Sequence, residues 1–158
     1  MNKLFLLFPL FLLISCVVNE ATESNHFDEN EVDSLMNKWH HSATVADSSF
    51  FFDFMSENAI YLGTAPKERW TKKQFADFAM PYFRKGKAWD FKTNWRNWYY
   101  SQDGQTIWFE ESLSTWMEEC RGSGVLIRQG SDWKLVHYNL TVLIENEKIK
   151  EFIELRKL

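Results

Sequence analysis

The sequence predicts an α+β domain in which a curved antiparallel sheet wraps around N-terminal helices. Three observations carry that expectation. Apolar residues recur in steps of three and four from Val32 to Phe50, the pattern of a stripe along a helix. From Trp89 onward the apolar period drops to that of a half-buried strand. Turn residues then divide the second half into consecutive strands, which makes neighbours antiparallel.

The elements follow in order. Asp28 and Glu31 have capping-box spacing, with Phe27 and Val32 placed as a hydrophobic staple across them. Val32, Leu35, Met36, Trp39 and Ala43 then predict a long helix ending near Ala46. Asp47, Ser48 and Ser49 are suited to cap a short second helix holding Phe50 to Met55. A short strand is expected over 59–63, then a loop with Pro66. Thr71 and Gln74 form another capping box, followed by Phe75, Phe78, Ala79 and Tyr82 at helical spacing, with Pro81 limiting that helix and Gly86 ending it. Four strands are predicted over 89–101, 106–117, 121–129 and 133–144. The turns between them are placed at Asp103-Gly104, Glu118-Glu119 and Gly130-Ser131-Asp132. A short C-terminal helix is expected within 147–158, where Ile149, Phe152, Ile153 and Leu155 lie among charges.

The N-terminus reads differently. After Met-Asn-Lys an apolar run extends from Leu4 to Ile14, too short to span a bilayer but suited to the core of a secretory signal. Leu13-Ile14-Ser15-Cys16 resembles the bacterial lipobox, in which the cysteine is acylated and becomes the first mature residue. The expected organisation is a signal peptide over 1–15, an acylated Cys16 with a polar tether over 16–27, and one domain over 28–158. The tether carries acids and no Lys or Arg, and cannot bury enough apolar surface to order itself. Taken over the polar stretch 17–30, its reach is about 20 Å r.m.s. and about 50 Å when taut. The chain is therefore expected to be exported and held at the cell envelope by lipid, and Val17 after the cysteine favours the outer membrane.

Charge and cysteine count narrow the function classes. The chain has 18 basic and 22 acidic residues; loss of Lys3 with the signal leaves 17 against 22. An acidic surface without a basic stripe argues against nucleic acid and against electrostatic docking on anionic lipid. Cys120 is the sole cysteine after Cys16, so no intramolecular disulfide is expected; its place beside a turn suggests a cross-link between two copies. Four histidines, including His40-His41, show no metal-ligand spacing, and neither metal nor cofactor is expected.

Several phrases resemble the SnoaL-like branch of the nuclear transport factor 2-like superfamily. They are Ala46-Asp47, Gly63-Thr64, Glu68-Arg69-Trp70, Trp108-Phe109-Glu110-Glu111 with Leu113, Arg121-Gly122-Ser123-Gly124-Val125-Leu126, Trp133-Lys134-Leu135 and Tyr138-Asn139-Leu140. Their order and spacing carry the likeness. The resemblance implies a cone-shaped, cystatin-like roll with a pocket. This chain departs from the family pattern at Ala65 and Glu110, where Asp is frequent, and at Glu145-Asn146, where Pro-Asn is frequent. Ala65 removes a carboxylate from the pocket rim. The family includes isomerases, cyclases, dehydratases and members without known activity, so it implies a pocket more firmly than a reaction.

Strand alternation then selects candidate residues. One face of the strand from Thr106 reads Ile107, Phe109, Glu111, Leu113, leaving Glu111 as a lone carboxylate on an apolar side. Strict alternation groups Trp133, Leu135, His137, Asn139 and Thr141 on one face of the last strand, facing Glu111. Glu111 is then either a proton shuttle tuned by an apolar site or a structural partner of Arg121 or Arg69. Asp47 is a helix cap or a second base, and His137 a wall residue or an acid–base group. Arg69 and Arg121 either clamp a ligand carboxylate or neutralise Glu68 and Glu111. Trp70 and Trp108, among eight tryptophans, either stack on a flat ligand or belong to core or interface; Asn139 is a candidate ligand contact.

Two functions stay open. One is an envelope module binding a small organic molecule in an aromatic-walled cavity. The alternative is a ketosteroid-isomerase-like isomerase or lyase with a pocket carboxylate as general base. A homodimer is expected, from the resemblance and from apolar residues on both sheet faces. Mass spectrometry of the native protein should find a mature chain beginning at acylated Cys16, and Cys16→Ala should release it from membranes or stall processing. An unmodified chain beginning elsewhere would overturn the localisation.

Overall fold

The computed structural model describes residues 28–157. The expected signal peptide, the acylation expected at Cys16, the expected tether and the expected Phe27 staple therefore lie outside the described residues. The observed fold is α+β, with the first three helices packed on one face of a six-stranded, curved, unclosed sheet.

The first helix, α1, spans Glu29–Thr44 and is capped by the Asp28 side chain, which accepts from the Asn30 and Glu31 N–H groups. Val32, Met36, Trp39, His40 and Ala43 form its buried stripe. It ends with Ala46 in the left-handed region and the Asp47 N–H returned to the Ser42 carbonyl at 2.8 Å, a Schellman-type closure. Asp47 then caps α2 (Ser48–Phe54) through the Phe50 N–H at 3.0 Å. Phe51 and Phe54 fill the space under α1, and the Trp39 indole N–H donates to the Phe51 carbonyl.

Strand β1 (Met55–Leu62) starts four residues before the predicted strand, directly at the end of α2. After a loop comes β2 (Arg69–Thr71), which was not expected because three residues show no alternation. Thr71 and Gln74 complete the capping box of α3 (Lys72–Phe83), which accommodates Pro81 in its last turn. Gly86, at φ +88°, turns the chain away. The remaining strands are β3 (Lys92–Tyr100), β4 (Thr106–Thr115), β5 (Glu118–Gln129) and β6 (Asp132–Val142). A 3-10 turn, Asn146–Lys148, leads into α4 (Ile149–Leu155), which buries no residue.

Strand order is β2-β1-β6-β5-β4-β3, antiparallel throughout except that β1 runs parallel to β6. The β4–β5 turn differs from expectation: Thr115 pairs with Glu118, so the loop is Trp116-Met117 rather than Glu118-Glu119. Glu118 takes the left-handed conformation (φ +67°) that closes it, a place where glycine is the usual occupant. Cys120 is fully buried, with its Sγ 3.5 Å from Thr115 Oγ1. Burial removes it from the cross-linking role that its position in the sequence suggested.

Candidate functional site

Glu111 is completely buried on β4, on the same face as Ile107, Phe109 and Leu113. Its partner is neither Arg121 nor Arg69. Arg96, directly across on β3, donates from Nε at 2.9 Å and Nη2 at 2.7 Å to Oε2. The other oxygen, Oε1, receives the Tyr138 hydroxyl at 2.7 Å and lies 2.9 Å from His40 Nε2. The remaining Arg96 donors reach Asp33, Asn37 and Thr93, so all five guanidinium N–H groups are used. The network thus joins α1, β3, β4 and β6.

These bonds decide the charge state. Burial by itself would raise the Glu111 carboxyl. The His40 imidazole, through attraction and hydrogen bonding, then Arg96 and Tyr138, outweigh that and lower it from an ordinary 4.5 to about 2. Tyr138 moves the other way: burial first, then the adjacent carboxylate, push its hydroxyl well above the ordinary tyrosine range. The arrangement keeps Glu111 ionised and Tyr138 protonated. It does not produce the elevated carboxyl that a proton shuttle requires.

Two local features of the chain make room for this cluster. Gly122 lies opposite Glu111 on β5, where a Cβ would stand 2.6 Å from Glu111 Oε1 and collide with the Tyr138 hydroxyl. Gly124, two residues on, similarly leaves space for the Phe109 ring, which a Cβ would meet at 2.7 Å. On β6 the pairing slips between Val125↔His137 and Leu126↔Leu135, so Val136 is an extra residue. This bulge sends Tyr138 and Leu140 inward and moves His137, Asn139 and Thr141 to the outer face. Strict alternation places them one residue out of phase.

The cavity lies elsewhere under the same sheet face. It has a volume of about 220 Å³, and its aromatic wall includes Tyr61, Trp70, Phe75, Phe78, Trp89 and Phe91. Glu68 and Trp116 also line it, with Trp116 81% exposed at the hairpin tip. Glu111 is not among the lining residues. Tyr61 lines the cavity and stacks on Tyr138 at 5.4 Å, so two rings separate the cavity from the carboxylate. On the other side a polar groove of about 590 Å³, lined by Asp33, His41, Asp90 and Lys92 among others, runs between α1 and β3.

The other predicted site residues divide accordingly. Trp70 lines the cavity, stacked on Phe75 at 5.5 Å and on Phe78 at 4.7 Å. Trp108, 45% exposed, stacks on Tyr99 across the outer face. Arg121, Asn139 and His137 share that outer face, connected by the pairs Arg121↔Thr141, Ser123↔Asn139 and Val125↔His137. Arg69 is exposed on the edge strand, and Asp47 is spent on the α2 cap. Thus Trp108, Arg121, Asn139, His137, Arg69 and Asp47 do not line the aromatic cavity. The three residues that bond Glu111, namely Arg96, Tyr138 and His40, were missed in the sequence. His40 carried a signal: it lies four residues after Met36 and three before Ala43, on the buried stripe.

A family model described as SnoaL-like domain matches residues 32–145. The chain belongs to the SnoaL-like domain family. Solved structures agree on the fold of this SnoaL-like domain. A domain of unknown function with a cystatin-like fold from Nostoc punctiforme is 14% identical at a TM-score of 0.63, covering 83% of this chain and 86% of that one. An NTF2-like protein of unknown function from Pseudomonas putida is 11% identical, with a TM-score of 0.62 and coverage of 76% and 89%. A protein described as a "putative ketosteroid isomerase" from Parabacteroides distasonis is 13% identical, with a TM-score of 0.58 and coverage of 77% and 92%. No curated protein matches the chain.

The network generates a direct test. Glu111→Gln keeps the shape of the side chain but strands the buried Arg96, and should cost about 3–5 kcal/mol of stability in chemical denaturation. Because the folded carboxyl lies below its ordinary value, its contribution is complete above pH 4.5 and is lost as pH falls towards about 2. That contribution is on the order of 3 kcal/mol. The wild type should therefore lose stability across that window and the Gln variant should lose less. Equal acid sensitivity in the two proteins would refute the assignment.

Proposed function

We propose that this SnoaL-like domain binds a small organic molecule in its aromatic cavity and is held at the cell envelope by lipid on Cys16. The cavity is the observation that carries the reading. Its wall is aromatic and apolar, and its single carboxylate, Glu68, is at the loop between β1 and β2. Such a pocket, mostly apolar with few polar groups, suits a compact flat ligand. The ketosteroid-isomerase-like alternative loses both bases that the sequence offered, since Glu111 is fully bonded, Asp47 caps α2, and neither lines the cavity.

Anchoring rests on the lipobox-like Leu13 to Cys16. Among the described residues no helix is long and apolar enough to cross a membrane. Lipid on Cys16 would supply attachment without a span, and the tether would let the cavity stand clear of the surface.

A homodimer through the outer sheet face belongs to the same proposal. The helices cover one face of the sheet, while Trp95, Tyr99 and Trp108 remain exposed on the other. Light scattering at micromolar concentration should give a dimer for the wild type and a monomer for Trp108→Glu; a monomeric wild type would remove the dimer from the proposal.

Cavity binding is tested with 2-naphthol, a neutral bicyclic aromatic. It should quench tryptophan fluorescence saturably at one site per chain. Phe78→Asp, which changes a partly exposed wall residue, should weaken binding by about tenfold or more, since it replaces apolar contact area with a charge. Failure of the folded wild type to bind at millimolar concentration would overturn the reading.

A further inference from the structure

The cavity has a definite electrostatic sign. Glu68 is the one charged side chain among its lining residues, which include no Lys, Arg or His. Its carboxylate is held in place: Oε2 accepts the Ala65 N–H at 3.0 Å, and the Gly63 N–H donates to the Glu68 carbonyl at 2.8 Å. Gly63 leaves room for this placement of the carboxylate, because a Cβ there would displace the Glu68 oxygen and stand 3.0 Å from the Trp70 ring. Among the described residues no cation forms an ion pair with Glu68.

A carboxylate set into an aromatic wall without its own cation favours a positively charged guest. The faces of Trp, Tyr and Phe attract cations as well, and the attraction grows as the charge leaves water. Tyr82, at the rim, already has the Lys85 ammonium 5.9 Å from its ring centroid. An anion would meet the Glu68 charge and the negative faces of the rings, and the nearby Lys85 ammonium is over the rim ring and not among the lining side chains. A neutral guest would leave Glu68 without a counter-charge.

We infer, on the reading that this cavity is the ligand site, that its occupant is an organic cation. Its ammonium or aromatic cationic nitrogen is set against Glu68, and its apolar body lies on Trp70, Phe78 and Trp89. The proposal needs no covalent step and no metal. It assigns Glu68 the selection of charge, leaving shape to the rings.

The test compares three bicyclic probes of similar size at neutral pH: N-methylquinolinium, 2-naphthol and 2-naphthoate. Titration calorimetry on the wild type should rank the cation about tenfold tighter than the neutral probe, the scale of a partly desolvated cation–π and charge contact, and the anion weakest. Glu68→Gln should abolish the advantage of the cation over 2-naphthol, and Glu68→Asp should retain much of it. Equal affinities for cation and neutral probe in the wild type would overturn the inference whether or not the variants fold. Unchanged cation affinity in a folded Glu68→Gln protein would do the same; in both cases the cavity reading survives if 2-naphthol binds. Absence of binding by all three probes would remove the cavity reading and the charge inference together.

Discussion

The buried carboxylate of Glu111 is the constraint around which this domain is arranged. An ionised group without exposure is tolerable only if its lone pairs are filled, and four donors from three elements fill them. Each donor fixes something larger than itself. Arg96 sets the register of β3 against β4, and through Asp33 and Asn37 it also binds the outer flank of α1. Tyr138 requires the β6 bulge, and His40 sets the rotation of α1 about its own axis. A helix turned by one residue would withdraw the imidazole and present His41 or Trp39 instead. The network therefore selects one packing of helix on sheet among several that apolar contacts alone would accept.

Gly122 shows how far this requirement reaches into the backbone. A strand glycine sacrifices packing surface and chain stiffness, and here both losses make room for a charge and a hydroxyl. Large side chains from β4 and β6 lie across the gap left on β5, so the centre of the sheet is filled by its neighbours. Trp39, Phe51 and Tyr138 then close the helix–sheet interface with ring contacts between 4.9 and 5.0 Å for the pairs involving Trp39. The polar cluster and the aromatic core are one packing unit.

Much of this was legible in the sequence, for reasons of distance along the chain. Helix periodicity, the Thr71–Gln74 capping box and the alternation that buries Glu111 are local, and each appears in the structure. The misplaced residues of β6 have a different cause. A single extra residue at Val136 reverses every later side chain on β6, and periodicity has no mark for it; His137 and Asn139 were consequently assigned to the wrong face. The partner of Glu111 was equally hidden. Several arginines have suitable chemistry, and only the β3–β4 register, itself offset by an irregularity between Thr93 and Trp95, puts Arg96 opposite. The cavity was legible as an aromatic wall but not as a list of members, because its lining comes from strands, loops, α3 and a hairpin tip far apart in sequence.

The hairpin tip has a consequence for how such a domain can diversify. Trp116 and Met117 reach the cavity from a two-residue turn, and Trp116 gives most of its surface to solvent. Glu68 and Trp70 reach it from the opposite edge of the sheet. None of these residues bonds to the Glu111 cluster. Substitutions at the tip or in the 63–69 loop can therefore alter what the pocket accepts while the ionic scaffold stays intact, and a descendant lineage can explore new guests without first solving its folding problem again.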